Sequence, residues 1–155
     1  MRIGVISDTH GYLDPRAATA LQGVARILHA GDIGSPAIVV ALEVIAPVIA
    51  VQGNVDAGTA LGRRYPLTQR VTLEGVSIHM THIFGRPEDL KYVLPDPKPD
   101  VLIFGHSHVA LLETRYGVLF LNPGAAGRPR FGGGLSVALL DVEAGRAAAH
   151  IVPLV

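Results

Sequence analysis

The chain has 155 residues, of which 49% are hydrophobic and 17% are charged, so we expect one folded domain over residues 1–155 and no extensive disorder. Its 13 basic and 13 acidic residues balance, which argues against the basic surface of a nucleic-acid-binding protein. Because there is no cysteine, disulfides and thiolate metal sites are excluded. No apolar run approaches the roughly 20 residues of a membrane helix, and the N-terminus lacks a signal-peptide core, so we expect a cytoplasmic protein without a membrane partner.

The first third of the chain alternates between short apolar runs and helix-start signals. Strands are predicted at 2–7, 26–30 and 47–51. One helix is predicted at 15–22, with Asp14 as its N-cap, and a second begins at Ser35-Pro36 and runs to about residue 45. Such a β-α-β-α-β unit predicts a parallel sheet with right-handed crossovers.

The rest of the chain is dominated by predicted strands. A hairpin is predicted at 70–73 and 76–81 around Glu74-Gly75, followed by a short helix at 87–93 and an irregular, proline-rich connection at 94–99. Further strands are predicted at 101–104, 109–114, 118–122, 135–141 and 147–153, and we expect these later strands to be antiparallel. Together the two halves predict an α/β fold, a four-layer α/β/β/α sandwich in which two mixed β-sheets are flanked by helices.

Seven potential metal ligands lie in five separate segments, and four of these segments directly follow a predicted strand. The seven residues are Asp8, His10, Asp32, Asn54, His82, His106 and His108. Loops at strand ends can meet at one point when the strands belong to one sheet system. A binuclear metal centre is therefore the leading hypothesis.

The types and spacing of these residues suit two cations. Asp8 and His10 are two residues apart, as are His106 and His108, and in an extended segment such residues project to the same side. Asp32 could bridge two ions through its two oxygens. The negative charge of two carboxylates is smaller than the positive charge of two divalent ions. The remaining positive charge should attract a phosphate and acidify a bound water. The mixture of nitrogen and oxygen ligands favours Mn, Fe, Zn, Co or Ni over Mg or Ca.

These motifs carry a family resemblance. In order along the chain, Asp8-x-His10, Gly31-Asp32, Gly53-Asn54, His82 and Gly105-His106-x-His108 resemble the calcineurin-like metallophosphoesterase superfamily. Gly53-Asn54-Val55-Asp56 and Asn122-Pro123-Gly124 are similar to its compact branch, which includes YfcE-type phosphodiesterases and the Vps29 retromer subunit. The resemblance covers residues 3 to about 140 and implies a two-sheet sandwich flanked by helices.

The resemblance implies a role for each matching position. One divalent ion would be held by Asp8, His10, Asp32 and His108, and the other by Asp32, Asn54, His82 and His106. We expect Mn²⁺ first, with Zn, Fe, Ni or Co as alternatives. A hydroxide shared by both ions would attack the phosphorus of a small phosphoester in line, with Asp32, Asn54 and His106 as the catalytic residues.

The sequence also departs from the family pattern. Val55 stands where many phosphatases of the superfamily have a histidine that assists the leaving group, a contribution commonly worth about 10²–10⁴ in rate. We therefore expect slow turnover, or a preference for diesters and esters with acidic leaving groups. Ile83 replaces a glycine that often follows the ligand histidine. With Asn54, Arg128 or Arg130 is expected to contact the substrate phosphate.

Other interpretations remain for several residues and for the function. His29 lies inside an apolar strand and is expected to be a core histidine or a partner of a ligand. His79 is an alternative to His82 as a ligand, but His82 lies beyond the predicted strand end, where ligands belong.

A Vps29-like interaction scaffold with weak or no activity is the alternative function, and the lack of a proton donor at Val55 is consistent with it. A closed structural zinc site fits poorly, since it takes four ligands. The composition permits a homodimer without requiring one.

Overall fold

Two mixed five-stranded sheets form the framework of the computed structural model, which describes residues 1–85, 94–129 and 133–155. The strands of the first sheet are β1 (Arg2–Ile6), β2 (Arg26–His29), β3 (Val48–Ala50), β9 (Ser136–Glu143) and β10 (Arg146–Pro153). Those of the second are β4 (Thr68–Leu73), β5 (Val76–Thr81), β6 (Val101–Ile103), β7 (Leu111–Arg115) and β8 (Val118–Asn122). Their spatial orders are β10-β9-β1-β2-β3 and β4-β5-β6-β8-β7. The predicted α/β class with two mixed sheets is confirmed.

The β-α-β-α-β unit is also confirmed. Strands β1, β2 and β3 pair in parallel, and helices α1 (Pro15–Ala20) and α2 (Pro36–Glu43) connect them. Each helix begins with a proline, and the side chains of Asp14 and Ser35 accept hydrogen bonds from the backbone of the first turn. A third helix, α3 (Ala60–Arg64), has no counterpart in the sequence prediction.

The core lies on both faces of the first sheet. Ile3 and Leu28 pack between the two sheets in a cluster that includes Ile78 of β5. Ile6 and Ile27 belong to the cluster that the helices cover on the opposite face. Because successive residues of a strand point to opposite faces, a strand covered on both sides must be apolar along its whole length. This explains the continuous apolar runs of the sequence.

The outer face of the second sheet carries a smaller apolar cluster, in which Phe104 and Phe120 pack with Phe84. The helix predicted at 87–93 lies outside the described residues. The connection at 94–99 contains neither helix nor strand, as predicted.

The direction of the strands in the second sheet differs from the prediction. β5 pairs in parallel with β6, and β6 pairs in parallel with β8, so the expectation of antiparallel strands in the later part of the chain was wrong there. The connection from β5 to β6 is long enough to return the chain to the same edge, as a parallel pair requires. The observed pairing matters for the site, because parallel strands end at the same edge of the sheet and the ends of β5 and β6 therefore lie together.

The described residues include no helix long and apolar enough to cross a membrane.

His29, at the end of β2, is completely buried, so its interpretation as a core residue is confirmed. Its Nδ1 accepts a hydrogen bond from the backbone N–H of Gly31 at 3.1 Å, and its Nε2 lies 3.0 Å from the hydroxyl of Thr9. That hydroxyl donates to the carbonyl of Ile33 at 2.9 Å, so it accepts the proton of Nε2. The neutral ring thus links the loops that follow β1 and β2.

We predict that His29 makes stability fall on acidification. Burial lowers the pKa of the imidazole to about 3, whereas the unfolded chain binds a proton near the ordinary value of about 6.5. Between these values only the unfolded state is protonated, so acidification favours unfolding by on the order of 1 kcal/mol per pH unit. Urea denaturation between pH 6.5 and 4 should give a shallower pH slope for His29→Gln than for the wild type. The exposed residue His150 offers the control His150→Gln, and equal slopes for His29→Gln and the wild type would contradict the prediction.

Candidate metal centre

Asp8, just after β1, is the point on which the other side chains converge. Its Oδ2 accepts hydrogen bonds from the hydroxyl of Ser7 at 2.7 Å and from the backbone N–H of His106 at 3.0 Å. Its Oδ1 lies 3.2 Å from Nε2 of His108, 3.6 Å from that of His10 and 3.8 Å from that of His82. Although three ring nitrogens surround this buried oxygen, it takes part in no hydrogen bond.

Asp32, after β2, faces the same histidines through one oxygen. Its Oδ1 accepts a hydrogen bond from the backbone N–H of Val55 at 3.0 Å, while its Oδ2 lies 3.2 Å from Nε2 of His82 and 3.4 Å from that of His10. Burial acts to raise the pKa of this carboxyl, but the approach of His82 and the Val55 hydrogen bond outweigh it and lower the pKa to about 2. Asp32 is therefore ionised at neutral pH.

His82 is oriented by a backbone carbonyl. Its Nδ1 lies 2.7 Å from the carbonyl oxygen of Ala30. A proton on Nδ1 donated to that oxygen leaves the lone pair of Nε2 directed at the carboxylates, the arrangement by which proteins fix a metal-binding imidazole. Burial acts to lower the pKa of His82, but Asp32, Asp8 and the Ala30 carbonyl raise it overall. The site thus favours a positive charge at this position.

The residues present fit divalent cations. Among the described residues, two groups have ligand atoms within 4.8 Å of one another, namely Asp8 with His10 and His108, and Asp8 with Asp32 and His82. Asp8 Oδ1 and His82 Nε2 are buried and have no hydrogen-bond partner. A buried polar atom without a partner is costly, and a cation between the carboxylates and the ring nitrogens would satisfy both atoms. Nitrogen and oxygen donors of this kind suit transition metals.

The remaining two predicted ligands border this cluster. The ring of His106, which is exposed, lies 5.4 Å from the ring of His82 in an edge-on arrangement. Asn54 begins a short 3₁₀ helix (Asn54–Asp56) and lies with His82 in the wall of one cavity. His79, the competitor of His82, lies within β5 opposite Arg70 and belongs to neither of the two groups of potential ligands.

The backbone that presents the ligands is left-handed, not extended. The φ angles are +55° at Asp8, +47° at His10, +55° at Asp32, +72° at His106 and +63° at His108. The expectation that i and i+2 residues share a side in an extended segment was therefore wrong. The chain turns back after the strand in each case, and the turns bring Asp8, His10 and His108 into the cluster. Non-glycine residues seldom adopt positive φ, and such strain concentrates at functional sites.

Two glycines allow the loops to approach the carboxylates. A Cβ on Gly53 would lie 2.2 Å from Oδ1 of Asp32, and a Cβ on Gly105 would lie 2.1 Å from the Ser7 hydroxyl and 2.6 Å from Oδ2 of Asp8. No side chain fits at either position. These glycines are therefore part of the site, although they contribute no ligand.

Asp56 has an organising role that sequence analysis missed. Its buried carboxylate accepts hydrogen bonds from the backbone N–H groups of Ile33, Gly34 and Gly53 at 2.9–3.0 Å. It thereby joins the loop of Asp32 to the loop of Asn54. The only sequence signal is its position in a Gly-Asn-x-Asp turn, where aspartate commonly binds backbone N–H groups.

Of the two arginines predicted to contact substrate, Arg128 is described and Arg130 lies outside the described residues. The loop before Arg128 packs against the loop of Asp8, since the N–H of Ala126 donates to the carbonyl of Ser7 at 3.2 Å. The exposed guanidinium of Arg128 lies over the ring of Tyr12, with its central carbon 4.2 Å from the ring centroid. Arg128 is thus near the site but packs on Tyr12.

Comparison with known proteins identifies the family to which the chain belongs. A probable metallophosphoesterase of Methanothermobacter thermautotrophicus is 37% identical over 141 residues, which cover 84% of this chain and 80% of that protein. The phosphodiesterase YfcE of Escherichia coli is 36% identical over 105 residues, 64% of this chain and 55% of that protein. A crystal structure of Vps29 complexed with Zn²⁺ from Entamoeba histolytica has a TM-score of 0.78 at 21% identity, with 99% of both chains covered, and shows a shared fold. The sequence model of the calcineurin-like phosphoesterase superfamily domain matches residues 1–145, and the chain therefore belongs to that superfamily.

Proposed function

We propose that this chain hydrolyses phosphoesters, with phosphodiesters and activated esters as its substrates, at a centre that binds two divalent metal ions. The observation that carries the proposal is the buried Oδ1 of Asp8, which three histidine nitrogens approach at 3.2–3.8 Å without a hydrogen bond. A carboxylate in this position needs a cation. The relatives that carry the names metallophosphoesterase and phosphodiesterase supply the reaction class.

The ligands divide into two sets that share Asp32. The first set is Asp8, His10, Asp32 and His108, and the second is Asp32, Asn54, His82 and His106. Oδ2 of Asp32 lies near one histidine of each set, His10 and His82, so Asp32 would be a ligand common to both sets. Mn²⁺ is our first candidate, with Zn, Fe, Ni or Co as alternatives, and the Vps29 crystal structure contains Zn²⁺.

When bound, two divalent ions would lower the pKa of a shared water and draw the substrate phosphate toward it. The chain's own residues prepare the site for this chemistry. Asp8 and Asp32 supply two negative charges where the cations would bind, and the Val55 N–H fixes the orientation of Asp32. Asn54 and His106 are exposed, so they can contact a phosphate that arrives from solvent, and Arg128 is the predicted arginine that the structure describes.

An interaction scaffold is the second candidate function. The shared fold with Vps29 and the absence of a proton donor at Val55 favour it. Against it stand all seven predicted ligands, five of which hold a left-handed backbone. A surface used only for docking would not require that strain.

Metal content and turnover test the centre. Purified protein should contain about two metal equivalents by elemental analysis, and with Mn²⁺ it should hydrolyse bis-p-nitrophenyl phosphate. Asp32→Ala and His106→Ala should reduce kcat/KM by at least about 10³, because each removes a group that holds the reacting centre. His150→Ala, in an exposed part of β10, is the matched control and should keep full activity.

Undiminished activity in Asp32→Ala or His106→Ala would reject the assigned centre. A folded protein that binds metal fully but hydrolyses no ester in a broad panel would instead support the scaffold.

Gly105 provides a test of the site geometry without removal of a ligand. In Gly105→Ala the new methyl would collide with Ser7 and Asp8, so the Asp8 carboxylate must move. We expect metal affinity to fall by about 10–100-fold, as for other losses of ligand support. Gly134→Ala is the control, because a Cβ there would meet no atom within 4 Å. Equal metal affinity in both variants would show that the close approach of Gly105 is not required.

Val55 tests the missing proton donor. Its side chain is exposed beside Asn54, and its backbone N–H, which binds Asp32, is independent of the side chain. Val55→His should raise kcat at least about tenfold for diesters with poorly acidic alcohol leaving groups and change the nitrophenyl ester little, because nitrophenolate leaves without a proton. Val55→Asn cannot transfer a proton and should not show the gain. The same gain in both variants would point to polarity instead of acid catalysis.

A further inference from the structure

A cavity of about 340 Å³ opens directly beside the proposed metal centre. Two predicted ligands, Asn54 and His82, form part of its wall. Leu67 and Ile83 form another part, although they come from separate segments of the chain. A phosphate bound at Asn54 and His82 would therefore have this cavity as its neighbour.

Part of the cavity wall consists of exposed apolar side chains, which are unfavourable in contact with water. Leu67 is 69% exposed and Ile83 is 53% exposed, and neither belongs to an apolar core cluster of the described residues. Large apolar side chains that line a concave surface beside polar groups are typical of ligand sites. Core packing among the described residues does not account for these two side chains, whereas contact with an apolar ligand would.

The cavity also lacks the groups that would hold a second charge. Its described lining contains no aspartate, glutamate, lysine or arginine. A second phosphate or a carboxylate on the substrate would find no cation there. An uncharged group is the better match.

One wall of the cavity is fixed in place before any ligand binds. The side-chain amide of Gln52 donates hydrogen bonds to the carbonyls of Gly62 and Tyr65 at 3.0 and 2.9 Å. These bonds tie the strand end near Asn54 to helix α3. A preformed wall reduces the entropy that binding must overcome.

We propose that this cavity is a subsite for the organic group of the ester, an uncharged apolar group about the size of an aryl ring, and that Leu67 and Ile83 determine this specificity. The inference rests on the proposed phosphoesterase function, since it places the phosphorus beside Asn54 and His82. It assigns a role to Ile83, whose side chain is 53% exposed in the cavity wall. It also predicts that diesters and aryl esters bind better than small monoesters.

Two phosphonates that resist hydrolysis separate the subsite from the phosphate site. Methylphosphonate and phenylphosphonate carry the same anionic group and differ only in the organic group. Their dissociation constants for the Mn²⁺-loaded protein can be measured by isothermal titration calorimetry at a pH where both are fully ionised. We expect phenylphosphonate to bind at least about tenfold more tightly, since transfer of apolar surface from water into the cavity is favourable.

In the double variant Leu67→Ala/Ile83→Ala, phenylphosphonate should bind at most about twofold more tightly than methylphosphonate. The dissociation constant of methylphosphonate should not change. Because both side chains are exposed, their truncation should not disturb the core. Val44→Ala, at a residue 85% exposed at the end of α2, is the matched control and should keep the full preference.

The outcomes distinguish the two proposals. If neither phosphonate binds to the metal-loaded protein, the phosphoesterase function itself fails. If both bind equally to the wild type, or if the double variant keeps the preference, the phosphate site stands and the apolar subsite is overturned. In that case a docking role for Leu67 and Ile83 becomes the better explanation of their exposure.

Discussion

Two buried carboxylates, Asp8 and Asp32, dominate the energetics of the site. Removing a carboxylate from water costs several kcal/mol unless hydrogen bonds and opposite charge compensate it. Hydrogen bonds satisfy one oxygen of each, Oδ2 of Asp8 and Oδ1 of Asp32. The other two oxygens lie 3.2–3.8 Å from histidine nitrogens, in a negatively charged space that a cation would fill. The arrangement of the surrounding loops follows from the need to hold these carboxylates in place.

That arrangement depends on backbone geometry that would be unstable in isolation. Positive φ at five non-glycine residues costs free energy, of order 1–3 kcal/mol at each position in unfavourable cases. The framework supplies the compensation. The Asp8 and His10 N–H groups donate to the carbonyls of Gly31 and Asp32, and Asp56 accepts three backbone N–H groups from the neighbouring loops. The strain thus persists because both sheets and Asp56 constrain the same few residues.

The sequence predicts that the carboxylates and histidines after the strands lie near one another, because the signal is local. A strand that ends in Gly-Asp or Asp-x-His is recognisable wherever it lies in the fold, and the parallel strands β1 and β2 follow from the β-α-β-α-β pattern. The left-handed turns at Asp8 and His10 were not predicted, because they arise from contacts with a second loop. The parallel pairing of β5 with β6 was missed for a related reason, since a long connection leaves strand direction undetermined. The apolar cavity has no local signal, because Leu67 and Ile83 meet only in the folded chain.

Membership of the superfamily leaves the choice between catalysis and docking open, because a likeness to Vps29 at 21% identity shows only a shared fold. The chemistry of the site favours catalysis of a restricted kind. Val55 cannot donate a proton, so an ester with a strongly basic leaving group would react slowly. Binding energy from a group remote from the reacting bond can offset part of such a deficit when it is realised in the transition state. An apolar cavity beside Asn54 and His82 would provide that energy. An aryl ester suits both the cavity and the missing proton donor. Its aryl group fills apolar space, and the aryloxide that leaves is acidic enough to depart without a proton.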